Sequence, residues 1–469
     1  MRARAALVAL AALACASNHA GESPSATLSV GDFGARGDGE TFDTAAIQKA
    51  VDALPPGGVL RFPPGTYRIE SDRGIKLKDD MRVDLRQATL VADNVSRAKC
   101  RILDIEGRRN IVISGGTLVG SRDGTPDWGI GIRASDASDL VIENVTLRDF
   151  FFDGIILTGD RGSERVTVRG VVAESNRRTG LAIVSATDVT VEDSTFASTR
   201  GQSPEAGVNG EPNRGQQVRN VSFRRCTFRG NAGGGLYLHR ALGVAVAGAR
   251  VEDSVAEGNA FGIVISGVSD VTIRNNRVLG HRGRTTAGII VDDTERPLVE
   301  RNRLEGNFRG IFSVKATAAE IRDNTIEGAG PADGGNGDRG DGIVCLGLGP
   351  RDLAEGCRVT ENTIRRCAGS GIYVQLAARV RLHDNAVAET GQRGIFLRTT
   401  SASEVSGNSV SAVGGEGKAT FDAIELGFGS SGNTISGNVI RPGPRARQAI
   451  GICADCRDNR VTGNTVLPY

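Results

Sequence analysis

Tyr237 and His239 stand two residues apart in the stretch GLYLHR (235–240), in a chain with only 4 tyrosines and 4 histidines. Alternate residues of a strand share a face, so a strand here sets a phenol beside an imidazole. Such a pair can act as base and acid in a proton abstraction. One repeat upstream, Asn209 and Glu211 have the same spacing. Stacked strands lie about 4.8 Å apart. Asn209 is therefore expected beside Tyr237, and Glu211 beside His239, in a square about 5 by 7 Å across. Glu211 can also accept from His239 and fix its tautomer. Asn209, Arg240 or a protonated Glu211 suits the neutralisation of a substrate carboxylate.

Strands that stack in this way need a repeating scaffold, and the sequence supplies one. The pattern G-I-x-I, with Ile, Leu or Val in second place, is anchored at Gly131, Gly154, Gly180, Gly207, Gly235, Gly262, Gly288, Gly310, Gly342, Gly371, Gly394, Ala423 and Gly451. Spacings run from 22 to 32 residues. A period in the twenties, with strands too short for hairpins, implies a solenoid of one coil per repeat, a parallel β-helix. Thirteen anchored coils are expected, with two or three less regular ones before them. Between anchors, Asn276, Asn324, Asn362, Asn385, Asn438 and Asn464 hold one phase. Asparagine tolerates left-handed backbone and bonds along stacked turns.

Ahead of the array, residues 30–69 read as a cap. Asp43 is the expected N-cap of a helix whose Ile47, Val51 and Leu54 share one face, stopped by Pro55-Pro56. The expected organisation is an export signal at 1–16 and a single all-β domain over 27–469, its cap at about 30–69. Loops at 200–217 and 329–341 are expected as corner insertions. The start of the chain has Arg2 and Arg4, an apolar run at 5–14 and "ACA" at 14–16, the marks of a signal for secretion or periplasmic export. Cys15 offers lipid anchoring, with a signal of 1–14, as the alternative. Without Arg2 and Arg4, 55 basic residues face 55 acidic ones. Nothing marks a nucleic-acid partner or a transmembrane segment.

The segment DFGARGDGETFDTAAIQKAV, followed by FPPGTY, resembles the N-terminal part of pectate-lyase-like right-handed β-helix proteins. That group includes rhamnogalacturonases, alginate epimerases and phage tailspikes. The stretch from SNRRTGLAIV to AGVNGEPN (175–213) is similar to one common in uncharacterised β-helix proteins. The resemblance implies a right-handed, single-stranded parallel β-helix with a short N-terminal capping helix, acting outside the cell on acidic or complex polysaccharide.

For uronate polymers, β-elimination and C5-epimerisation both begin with loss of the C5 proton, and Tyr237, His239 and Glu211 are the catalytic candidates. Candidates for substrate contact are Asn209, Arg240, Asp153, Arg178, Asp292 and Lys315. The competing enzyme class is inverting hydrolysis, in which Asp153 resembles a polygalacturonase-type catalytic position. Coil spacing puts Asp153 about 19 Å from Glu211, whereas such pairs need about 6.5–9.5 Å. Asp153 with Glu205 is borderline, at about 10 Å. Asp153 also reads as a turn residue paired to Arg177 or Arg178. A third reading is a non-catalytic glycan-binding or surface structural protein.

No cofactor is implied, calcium at Asp292-Asp293 being the one metal considered, and adjacent strand residues point to opposite faces. His281 and His383 read as surface corner residues. Lys315 and Arg398 are candidates for an anionic sugar. The outward aromatics Phe312, Tyr373 and Phe396 read equally as a sugar platform or the seat of a loop. CADC (453–456) is a local disulfide or a redox pair rather than a zinc site.

Overall fold

A computed structural model describes residues 26–70, 72–93, 100–122, 129–240, 246–281, 286–330, 340–414 and 421–469. The expected signal and Cys15 lie outside the described residues, as does most of the 329–341 insertion. Each coil contributes one short strand to each of three parallel sheets, here called faces A, B and C. In one coil these are Val218–Arg224, Thr227–Arg229 and Gly234–His239. The solenoid makes about 15 turns and has one α-helix. Among the described residues no helix is long and apolar enough to cross a membrane.

The anchor pattern sets the coil because it fixes what points inward on face C. Ile132, Ile155, Leu181, Val208, Leu236 and Ile263 follow successive anchors and are all buried. They are register partners from coil to coil, so the core is a stack of like aliphatic layers. The anchors are glycine because the coils close on each other there. A Cβ on Gly207 would lie 2.7 Å from the Gly235 carbonyl oxygen. The last anchor differs from expectation. Ile424 pairs with Ile450, so Ala449 takes the anchor place, and Gly451 lies opposite Glu425 in the outward column. An offset of two residues preserves the alternation of faces, so periodicity alone does not expose it.

The corner from face A to face B takes two residues. The first is left-handed (Asn275, Arg301, Asp323, Glu361, Asp384, then Gly407, Gly437 and Gly463), and the second is the ladder asparagine. The left-handed duty thus falls on the preceding residue. The asparagine side chain does the stacking: the Asn276 N–H and Nδ2 both donate to Asn302 Oδ1, each at 3.0 Å. The chain of bonds continues through Asn324, Asn362, Asn385, Asn408 and Asn438 to Asn464. Just before this corner, face A carries charges that alternate in sign from Glu143 through Arg169, Glu192, Arg224, Glu252, Arg274 and Glu300 to Arg322, each the register partner of the next.

The N-terminal end is closed by helix α1 (Thr44–Ala53), which buries Ile47, Ala50 and Val51. Leu54 packs beneath it and the chain turns extended before Pro55. Asp43 does not cap α1 with its side chain. Its carboxylate accepts the Arg36 and Gly37 N–H groups at 2.7 and 3.1 Å and so ties the approach segment to the helix. The residues 200–217 are not one insertion: strand Ala206–Gly210 is fully buried in face C and splits them into two short connections.

Candidate functional site on face C

Face C carries the sequence candidates on its outer surface. Asn209 and Tyr237 are register partners. Glu211 follows the strand, its N–H held by the Ile183 carbonyl at 3.0 Å. Asn209 Nδ2 donates to Glu211 Oε2 at 3.2 Å, and His239 Nε2 stands 3.7 Å from the same oxygen. That second spacing is an ion-pair distance rather than a hydrogen bond. Asn209 is buried, and among the described residues its Oδ1 has no hydrogen-bond partner. The Tyr237 ring folds down over Gly234, where a Cβ would come within 2.7 Å of it, and lies 6.0 Å from the Phe261 ring. Burial pushes the Tyr237 phenol up to about 12.

Glu211 also closes one end of a cleft of about 520 Å³. The apolar part of the cleft lining is Ile130, Phe152, Ile156 and Val184, which pack together with Ala182. Arg101, Arg133 and Arg178 enter it from the side. Arg133 is held by Asp104 at 2.7 Å and by Glu106 at 2.5 Å. Arg178 stacks on the Phe152 ring, with its guanidinium carbon 4.6 Å from the centroid. Tyr237 and His239 lie one coil beyond the cleft, on the far side of Glu211.

Asp153 is placed as an anchor, not as a substrate contact. It is 0% exposed. Its carboxylate takes the Thr179 hydroxyl at 2.6 Å and Arg178 Nη1 at 3.0 Å, and burial, the largest influence, pushes its carboxyl above the usual range. Arg178 thus has a fixed stem and faces the cleft. Two further candidates, Arg240 and Lys315, meet at one aspartate apart from the cleft. Arg240 pairs with Asp293 at 2.7 Å, and Lys315 stands 3.7 Å from the same carboxylate. Asp292 accepts the Ser266 hydroxyl at 2.8 Å, so the two aspartates do not converge on one point.

His281 is a correction: it is fully buried, with its ring nitrogens 3.0 and 3.1 Å from the Asn259 and Ala256 carbonyls. It occupies a core ladder position where neighbouring coils have Asn259 and Asn307. His383 is exposed at a corner, beside Asp384 and Ser406. Tyr373 and Phe396 stack on each other at 5.3 Å, so each covers a ring face that a sugar would need. Cys453 and Cys456 form a disulfide, and Cys345 pairs with Cys357. Cys226 and Cys367 are free and buried.

The family model for the right-handed β-helix region matches residues 100–260, 214–350 and 336–466. The chain belongs to the right-handed β-helix family. At the cap of this β-helix, residues 27–85 match the rhamnogalacturonase A/epimerase, pectate lyase-like model. An uncharacterised Bacillus subtilis (strain 168) protein, YclG, is 26% identical over 285 residues, covering 51% of this chain and 48% of its own length. Alginate lyase 7 of Azotobacter vinelandii is 29% identical over 144 residues, covering 30% of this chain and 16% of its own. The chain spans about half the length of the first curated relatives it matches. Among solved structures, PfbA, a surface adhesin of Streptococcus pneumoniae, superposes with a TM-score of 0.53 at 15% identity, over 81% of this chain and 92% of PfbA. A likeness at that identity shows the fold alone.

The cleft was not visible in the sequence as such. Arg101 and Arg133 precede the square by several coils, and Phe152 lies in a corner. The available signal was Arg133 at the head of the outward column that also holds Asn209 and Tyr237.

Proposed function

We propose that this β-helix is an exported enzyme acting on uronate-containing polysaccharide, as a lyase or a C5-epimerase. The observation that carries the reading is the position of Glu211, which both closes the arginine-lined cleft and faces His239 and Asn209. A polymer lying in the cleft brings a sugar to the Tyr237 and His239 side of Glu211. His239 then takes the C5 proton, with the Glu211 carboxylate 3.7 Å from its Nε2. The buried phenol of Tyr237 keeps its proton at neutral pH, which suits it to donate rather than to accept. In elimination, the C5–H electrons form the C4–C5 double bond, the C4–O bond breaks and the leaving oxygen takes a proton. In epimerisation, the proton returns to C5 from the opposite face. Arg178 and Arg133 face the cleft, where they suit the carboxylates of neighbouring sugars of the same polymer, each already oriented by an acidic partner. The same chemistry fits the partial likeness to an alginate lyase.

The hydrolase reading loses its acid, because Asp153 is fully buried and bonded to Thr179 and Arg178. The test is incubation with alginate, polygalacturonate and other acidic polysaccharides. A lyase yields ultraviolet-absorbing unsaturated ends, and an epimerase exchanges the C5 proton with deuterated solvent without chain cutting. Reducing ends without absorbance would establish hydrolysis instead. Binding without any alteration of the polymer would establish a non-catalytic glycan-binding protein. Export is tested by the mass of the mature N-terminus recovered outside the cytoplasm.

A further inference from the structure

Eight coil steps along face C from Asn209, about 38 Å at about 4.8 Å per step, the outer surface hollows again. This hollow, of about 610 Å³, is bordered by Glu425, Phe428, Arg447 and Asp455. Phe428 is 56% exposed. One face of the Phe428 ring is covered by the Arg398 guanidinium, 4.1 Å from the centroid.

The backbone at Phe428 is left-handed, with φ of 55°. The same corner of the two preceding coils is left-handed at Leu376 and Thr399, so the stack imposes the conformation. A bulky aromatic is among the costlier occupants of such a position. The turn holds it there: the Thr399 hydroxyl donates to the Phe428 carbonyl at 3.1 Å, and the Ser430 hydroxyl to the Gly427 carbonyl at 2.8 Å. The Arg398 guanidinium packs on one face of the ring, and the residue still remains more than half exposed. Around the ring the polar groups are fixed: Glu425 is gripped by Arg393 at 2.8 and 3.0 Å, and Arg447 by Asp422. Asp455 has no ion-pair partner among the described residues and borders the same hollow.

We propose that this hollow is a glycan-binding subsite separate from the Glu211 cleft, with Phe428 as the platform for a sugar ring and Asp455 and Arg447 as hydroxyl partners. A sugar ring has an apolar C–H face and a polar rim, which match an open aromatic face edged by a carboxylate and a guanidinium. The hollow lies on the same face as the cleft, so one long glycan running along face C reaches both. This rests on the reading that the chain handles polysaccharide.

The test compares wild type, Phe428→Ala, Phe428→Trp and His239→Ala for binding to alginate and polygalacturonate, each as polymer and as trisaccharide. Phe428→Ala removes a side chain from a strained corner, so folding is retained. The expected result is polymer affinity weakened about tenfold, the weight of one aromatic anchor, and restored by Phe428→Trp. Turnover of the trisaccharide, too short to span both places, stays at the wild-type level. Equal polymer affinity in Phe428→Ala and wild type overturns the proposal, as does a wild type that binds neither polymer. If no glycan is turned over but Phe428-dependent binding persists in wild type and His239→Ala, the catalytic reading fails and the subsite stands.

Discussion

Buried asparagines in two regions of this solenoid are used in opposite ways. At the corner between faces A and B, Asn302 accepts two bonds from Asn276 and passes two on to Asn324. The flanking charges alternate and pair along the same edge, Arg224 with Glu192 at 2.9 Å and Arg274 with Glu252 at 3.1 Å. On face C, Asn209 is as buried, yet among the described residues it donates to Glu211 and its Oδ1 has no partner. A buried acceptor without a partner costs roughly 1–3 kcal/mol. The ladder asparagines at the corner are thus bonded coil to coil, whereas Asn209 carries, among the described residues, an amide oxygen with no partner beside a phenol and an imidazole.

Activity should show the largest difference. Tyr237→Phe and His239→Ala are each expected to lower turnover by about 10²-fold or more, with thermal unfolding little changed, measured on whichever acidic polymer the wild type alters. Full activity in both variants would remove the site from face C. At the corner the expectation reverses. Asn302→Ala leaves the Asn276 donors without an acceptor and should destabilise the local coils by about 1–3 kcal/mol, read by hydrogen exchange around residues 276–324. Per-molecule activity of the folded fraction should be unaffected.

Asn209→Leu sharpens the contrast within one residue type. Removing the unpartnered oxygen should leave stability unchanged or raise it by up to about 1 kcal/mol, while turnover falls, as measured by denaturant unfolding alongside the polymer assay. Smaller still is the effect of Arg274→Gln on the charge ladder, expected below about 1 kcal/mol because exposed ion pairs are weak and Arg274 is 44% exposed. Ultraviolet titration separates the tyrosines. The Tyr237 phenol should ionise at about 12, above the ordinary value near 10. Because its folded value is raised, its contribution to stability is present below about pH 10 and is lost as pH rises towards about 12. The wild type minus Tyr237→Phe difference spectrum reads it directly.

Much of the scaffold was legible because a stacked coil repeats its constraints. Inward Ile and Leu, close-packed glycine and laddered asparagine recur wherever a coil closes, and they fixed the outward columns well enough to place Asn209 beside Tyr237. Asn302 and Asn408 extend the ladder beyond the six asparagines expected there, each following the same strand–turn–Asn–strand order. The last anchor slipped from Ala449 to Gly451 because a shift of two residues leaves every face unchanged. Asp43 holds the expected N-cap position and Asp153 the expected pairing with Arg178, whereas His281 lies in the core rather than at the surface, because residue type does not reveal whether a polar side chain turns out to solvent or inward to backbone partners.

What the sequence by itself determined is the coil: its period, its inward face and the neighbours each outward residue receives. These follow from local geometry, since a strand has two faces and successive coils stack at one spacing. The tertiary structure alone decided which outward residues share a cleft and which are withdrawn from solvent. Arg101, Arg133, Arg178 and Glu211 come from four coils and meet only because the coils superpose with particular turns between them. Likewise the exposure of Phe428 and the burial of Asp153 depend on neighbours that pack from adjacent coils, which sequence spacing does not encode.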